Sequence, residues 1–396
     1  MDIQVFASQA ADTRTMAREI AGAIAAHNKA PPDFVALHLS ALYDIDAART
    51  GMETAKILHG ATSCKGVMTD KGLYTQGGIG AGAFCIWDAD GDYGSACVAA
   101  KDNPKQAAVE ATLLALKAAG RSGESPMIIW LSTSPGAEEA VLVGIESVVG
   151  KRVPILGGSA ADNDISGNWQ VFDKTQSVSS GVTVSVLFPS TDVSFSYHNG
   201  YAPTDISGVV TKVAGRLLCE IDNRPAAQVL DEWTQGAVIP HSSTGPVSIL
   251  SESTLSPLGR YLDDVRGLPY FLLAHPSEVY PDGSIGLFAD VQLGETLTLM
   301  EGSIESLTAR AGKVASLSAK LGNMASDDIS GGLMVYCGGC MLAVEDHMED
   351  VISGVQRALP ATPFLGVFTF GEQGVVIDGS NHHGNLMISC ILFSKT

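Results

Sequence analysis

One unit is written three times along this chain: an apolar strand, a loop, a helix, and a second apolar strand that breaks into a Gly-rich polar loop. The copies run from Phe34 (FVALHLS) to Ile57-Leu58-His59-Gly60-Ala61-Thr62-Ser63, from Met127 (MIIWLST) to Pro154-Ile155-Leu156-Gly157-Gly158-Ser159-Ala160-Ala161-Asp162, and from Leu333 (LMVYCGG) to Pro363-Phe364-Leu365-Gly366-Val367-Phe368-Thr369-Phe370-Gly371-Glu372. Recurring strand-helix-strand units predict an α/β fold (mixed α+β) of mixed sheets flanked by helices. In such sheets ligands sit beyond the strand ends, where glycines let backbone N–H groups approach and short polar side chains give direction. The pattern therefore predicts a small-molecule pocket where the three loops converge.

At 396 residues the chain exceeds the usual single core, and two modules are expected. Hydrophobic residues make up 45% and charged ones 17%, which predicts a fully folded chain without long disordered tails. The net charge of −19 repels phosphate backbones and anionic membrane surfaces alike, so neither nucleic acid nor membrane is an expected partner. The N-terminus Met-Asp-Ile-Gln-Val-Phe lacks the basic and apolar regions of a signal peptide, and no apolar run is long enough to span a bilayer. A cytoplasmic protein is expected. The low charge fraction also leaves room for a homodimer surface. Seven cysteines, an odd number and mostly in apolar runs, read as buried thiols rather than a disulfide framework.

Outside the units, residues 3–7 read as a strand and 12–28 as an amphipathic helix capped by Asp12. Phe84–Trp87 and Ala96–Ala100 flank the turn cluster Asp88–Gly94 and predict a hairpin, and a helix follows from Pro104. Short strands after Trp169 and a new run from Val193 place the boundary near residue 190, giving modules 1–190 and 191–396. The proline-rich stretch 236–284 is expected to be a long connection whose Tyr261, Tyr270, Phe271 and His275 reach a pocket. Helices are predicted over 304–321 and 345–359, the second stopped by Pro360.

Six segments carry candidate chemistry. Gly157-Gly158 through Asp162 offers N–H donors and one carboxylate for an amine or hydroxyl, against the plain alternative of a turn. Glu372, set between small residues, is poorly solvated unless paired, by a ligand or by backbone donors. Thr62 and Ser63 can take a carboxylate, although no phosphate-loop spacing surrounds them. Cys337-Gly338-Gly339-Cys340 is a C-x-x-C without the further ligands that zinc needs. Histidines at 198, 382 and 383 lie in turn-like segments where one can ligate iron or simply face solvent. No triad context, G-x-S-x-G or H-E-x-x-H is present, so an enzyme is not expected.

Several of these segments resemble the FIST family of intracellular sensory proteins. In the N-terminal half, His59-Gly60-Ala61-Thr62-Ser63-Cys64-Lys65-Gly66 is similar to its Gly-Cys-Ser/Thr turn, and Pro154 through Asp162 to its Gly-Gly…Asp loop. In the C-terminal half, Val210-Thr211-Lys212 with Ile221-Asp222-Asn223-Arg224-Pro225-Ala226 resembles the Val-Thr…Asp-Gly-x-Pro-Ala hairpin. Pro363 through Gly374 and His382-His383-Gly384-Asn385-Leu386 resemble the Pro-Phe-x-Gly-Phe-Tyr-Thr-Tyr-Gly-Glu-Ile and His-Asn-x-Thr-Leu ending. His383 stands where Asn is expected, Asn385 where Thr is, and Cys340 where Arg is.

The resemblance implies an N-terminal and a C-terminal FIST module that sense an amino acid or similar polar metabolite and signal to a partner protein. No cofactor is required on that reading. Thr62, Ser63, Gly157, Gly158, Asp162, Glu372 and His382 are the expected ligand-binding residues, with Asp162 or Glu372 taking an ammonium group. Some members of the family are haem proteins that sense nitric oxide and control histidine kinases. The alternative is therefore a haem sensor, with His198, His59 and His382 as axial candidates. A cysteine-dependent enzyme using Cys337 or Cys340 is the third reading.

Overall fold

The computed structural model describes residues 1–238, 245–265 and 268–395. In each repeat a lead strand pairs in parallel with a return strand: Phe34–Leu39 with Ile57–Thr62, Ile128–Thr133 with Ile155–Ser159, and Ile329–Cys337 with Phe364–Thr369. The lead strands are buried at every residue. That explains their unbroken apolar runs, because a strand covered on both faces has no solvent side to mark with polar residues.

The repeat is longer than the sequence pattern suggests. A closing strand runs antiparallel along the other edge of each lead strand: Ala81–Trp87, Gly181–Phe188 and Met387–Ser394. Beyond it lies an outer strand, Asp2–Ser8, Asp92–Ala99 or Val193–Asn199, which opens the repeat in sequence. Each outer strand leads to a helix, Thr13–His27, Pro104–Ala118 or Ile304–Leu321. Their starts are set by Asp12 accepting from Thr15 N, Asn103 from Gln106 N, and a Ser303/Ser306 capping box. A second helix, Ile45–Thr50, Glu138–Val149 or Met348–Ala358, makes the parallel crossover.

Exit hairpins interlock the repeats. The hairpin after the first return strand, Val67–Thr69 with Gly72–Tyr74, adds to the third sheet beside Phe364–Thr369. The second, Val171–Asp173 with Ser177–Val178, adds to the first sheet beside Ile57–Thr62. The third, Glu372–Val375 with Asn381–Gly384, adds to the second sheet beside Ile155–Ser159. The exchange is cyclic, so each six-stranded sheet takes its last two strands from another repeat. At the centre, Phe34, Phe84, Trp130, Leu156, Val335 and Phe393 from all three repeats share one core. Residue 190 itself falls between Gly181–Phe188, the closing strand of the second repeat, and Val193–Asn199, the outer strand of the third.

Two expectations are corrected. Ala81–Trp87 and Asp92–Ala99 flank a turn but do not pair; each joins the sheet of its own repeat. The turn itself is held by Asp88, which accepts from Tyr93 Oη at 2.7 Å and Ser190 N at 2.9 Å. The stretch 236–284 is not a connection. Within its described residues it supplies strands to a nine-stranded sheet that Ala202–Ala214 opens and Thr296–Glu301 closes, inserted between outer strand and helix of the third repeat. Its prolines are compatible with strand because Pro269 lies on the edge strand and Pro276 begins another. No helix among the described residues is long and apolar enough to cross a membrane.

Candidate functional site

The three strand-end loops do converge, in a ring of mutual hydrogen bonds. Ala161 N donates to Thr62 O at 3.0 Å, Ser159 N to Gly371 O at 2.7 Å, Phe370 N to Ser159 O at 3.1 Å, and Cys64 N to Phe368 O at 3.0 Å. Cyclic hairpin exchange causes this, since each loop must cross to a neighbouring sheet as soon as its return strand ends. Gly157 is required there: its φ of +154° and the Leu131 carbonyl oxygen 1.9 Å from an added Cβ leave no room for a side chain.

The ring brings together Thr62, Ser63, Gly157, Gly158, Asp162 and Glu372, and their polar groups are spent on the protein itself. Thr62 Oγ1 accepts from Gln170 N at 3.0 Å, and Ser63 Oγ accepts from Phe368 N at 2.8 Å while donating to Gly66 O at 2.5 Å. Asp162 Oδ1 accepts from Ile165 N at 2.6 Å and its Oδ2 from Asn168 N at 2.8 Å, closing its own loop. Glu372 is fully buried; it accepts from Thr369 Oγ1 at 2.8 Å and Met387 N at 3.0 Å. Burial, with the Cys337 thiol against it, pushes its carboxyl well above the ordinary range. None of these residues, nor His382, lines any of the hollows described below.

The histidines separate clearly. His59 is fully buried between Ser132 Oγ and Ser185 Oγ, each at 2.8 Å. His382 bonds Ser380 Oγ at 2.9 Å on the outer strand of an exit hairpin. His198 lines a cleft of about 600 Å³ between the inserted sheet and the third repeat. Tyr270 and Phe271 form its aromatic wall, and the first turns of the helix Ile304–Leu321 bring Ser303, Ser306 and Arg310. The His198 ring lies 5.5 Å from that of Tyr270, whose hydroxyl is anchored on Tyr197 O. Of the other aromatic residues expected at a pocket, Tyr261 packs edge-on against Phe271, and His275 is buried behind, near Leu250 O.

Arg310 gives the cleft its character. Its Nε is buried with no hydrogen-bond partner among the described residues, and burial lowers its pKa. An unpaired buried guanidinium donor is costly to leave unmade and strongly favours an anion beside it. Burial, with the Arg310 charge beside it, pushes the His198 imidazole down to about 4, so the ring is neutral near pH 7. The cleft thus pairs one cation and a helix N-terminus with an apolar aromatic wall, the means to hold a carboxylate on a small organic body. Sequence reasoning passed over Arg310. The available signal was its position three residues after Leu307 and four before Val314, on the edge of the buried stripe rather than the solvent face.

Cys337 and Cys340 are both buried, at 4% and 0% exposure. Burial pushes the Cys337 thiol far up, the opposite of what a thiolate nucleophile needs. Among the described residues no group of three or more His, Cys, Asp or Glu side chains is placed to hold a metal ion.

Comparison with known proteins matches the FIST N domain to residues 33–224 and the FIST C domain to residues 226–375. An uncharacterized protein of Methanocaldococcus jannaschii is 33% identical over 97 residues, which is 23% of this chain and 19% of that protein. The chain spans about a fifth of the length of that curated relative. The crystal structure of a cyanuric acid hydrolase from A. caulinodans aligns over 100% of this chain and 99% of its own, at 9% identity and a TM-score of 0.37. A likeness that weak carries no argument about fold or function.

Proposed function

The chain belongs to the FIST family, its N and C domains together covering most of its length, and from that premise we propose that it senses a small carboxylate-bearing metabolite of amino-acid type in the cleft at Arg310. FIST domains are small-molecule sensory modules that feed signalling partners. The observation that carries this reading is the buried, unpartnered Arg310 Nε beside a neutral His198 and the Tyr270–Phe271 wall. The cleft hydroxyls of Ser303 and Ser306 are engaged in the capping box of their helix, and the reading is of a binding site without turnover.

The test is a thermal-shift and calorimetric screen of amino and keto acids, each paired with its amide. A carboxylate ligand raises the melting temperature by linkage. Arg310→Gln weakens it roughly 10- to 100-fold, the worth of a charge-assisted hydrogen bond. Amides that bind as well as their acids, or a ligand that Arg310→Gln holds at full affinity, would overturn the assignment.

A haem reading is favoured by one observation: among His198, His59 and His382, only His198 turns its ring toward a cleft, and its nitrogens take no hydrogen bond among the described residues. A neutral imidazole is the form that ligates iron, and Arg310 stands where a propionate can be paired. Bound haem supplies the iron that takes a diatomic gas. Titration with haemin decides: uptake at stoichiometric amounts that His198→Ala abolishes supports it, and no Soret band in the wild-type protein removes it.

A further inference from the structure

A second hollow, larger than the cleft, lies where the helix Ile304–Leu321 crosses the helix Met348–Ala358. There backbone meets backbone: a Cβ on Gly312 would stand 2.5 Å from the Gly354 carbonyl oxygen. The two helices flank an open groove of about 1080 Å³. Arg310, Lys313, Lys320 and Arg357 line it, against Glu305 and Asp350.

These four cations are unlike five of the chain's eleven arginines. Arg49, Arg121, Arg216, Arg224 and Arg260 are all matched to carboxylates. Among the described residues, none of the four groove cations is in an ion pair. Two polar atoms on the groove wall, Thr308 Oγ1 and Arg310 Nε, are buried without a hydrogen-bond partner. A concentration of unmatched positive charge on a chain of net charge −19 is a local feature against the global field.

We propose that this groove docks an acidic segment of a partner protein. Arg310 and Lys320 are ten residues apart on one helix, roughly 15 Å along its axis, farther than one small anion can bridge but matched by carboxylates spaced along a peptide. The net negative charge repels an extended polyanion such as nucleic acid over its whole length. A short acidic segment lies within a Debye length, about 8 Å, of the groove cations and feels them first. Arg310 also lines the cleft, and the groove keeps Lys313, Lys320 and Arg357 whatever fills the cleft.

The experiment uses the full chain and a fluorescein-labelled Glu/Ala helical peptide of sixteen residues, read by anisotropy at low salt. The peptide binds the wild-type chain, and Lys313→Glu with Arg357→Glu weakens binding at least tenfold. The same charge change at Lys101→Glu with Lys117→Glu, on exposed sites away from the groove, leaves affinity within twofold. Lys313→Gln with Arg357→Gln gives an intermediate loss and guards against a folding defect in the reversal. No binding of the peptide, an equal loss from both charge reversals, or equal binding of a single-stranded oligonucleotide of the same charge would overturn the proposal.

Discussion

Replacing Arg216 with alanine is expected to cost about 3–5 kcal/mol of stability, the usual result of stranding a buried charge. Arg216 sits between the strands Ala202–Ala214 and Leu217–Ile221 of the inserted sheet. Its Nη2 reaches Glu138 Oε2 at 2.7 Å and Glu139 Oε2 at 2.6 Å, and its Nε reaches Asp290 Oδ1 at 3.1 Å. Both glutamates open the crossover helix of the second repeat, where the helix dipole also favours them. Glu138 is 1% exposed and also accepts from Ser159 Oγ at 2.7 Å, which ties the clamp to the ring of loops. The guanidinium is thus the main pin between the inserted sheet and the second repeat, and without it Glu138 is a buried carboxylate with no cation.

The pH dependence gives the prediction a sign. Burial works against ionisation of Glu139, but His383 and Arg216 facing it hold its carboxyl down to about 2. A depressed folded value contributes stability above the unfolded value, about 4.3, and loses it as pH falls through about 2. Urea melts at pH 7, 5 and 3 should therefore show the gap between wild type and Arg216→Ala narrowing at the acid end. A loss under 1 kcal/mol, or a gap that does not move with pH, would mean the clamp is not a stabilising element.

What the sequence disclosed and what it hid follow from one difference, between local and exchanged pairing. The lead strands were legible because burial on both faces leaves a continuous apolar run such as MIIWLST. Their helices were legible through the cap at Asp12 and the first-turn proline Pro104. The exit hairpins were not, because strands as short as Val171–Asp173 owe their place in a sheet to another repeat, hundreds of residues away in the case of Val67–Thr69 and Phe364–Thr369. The turn at Asp88–Gly94 was visible, but a turn signal marks where the chain reverses and not which sheet receives the next strand. The same limit applied to the site. The recurrence raised convergence of the three loops as a possibility without showing that they meet, and the Met387 N–H that joins Thr369 Oγ1 at Glu372 comes from the closing strand and could not be assigned to it. Arg310 enters a cleft only because the inserted sheet folds over its helix.

Glu372 permits the sharpest separation between a structural carboxyl and one waiting for a ligand. Burial raises its folded pKa well above the ordinary value, so folding favours the protonated carboxyl. A raised carboxyl value favours the folded state least at high pH: above about 4.3, unfolding releases its proton, and stability falls by about 1.4 kcal/mol per pH unit until the folded value is reached. Glu372→Gln keeps the shape and the acceptor for Met387 N but cannot ionise. It should match wild type at acid pH and exceed it increasingly as pH rises above about 4.3. Glu372→Ala should instead lose about 2–4 kcal/mol, since it leaves Met387 N–H without a partner and opens a cavity in the ring. Urea unfolding across that range measures both. A glutamine variant that falls behind wild type as pH rises would mean the carboxylate is ionised in place, and the ring of loops would again be the site to search for a bound ammonium group. A glutamine variant that is more stable and keeps full ligand affinity, beside an Arg310→Gln that does not, would confine recognition to the cleft.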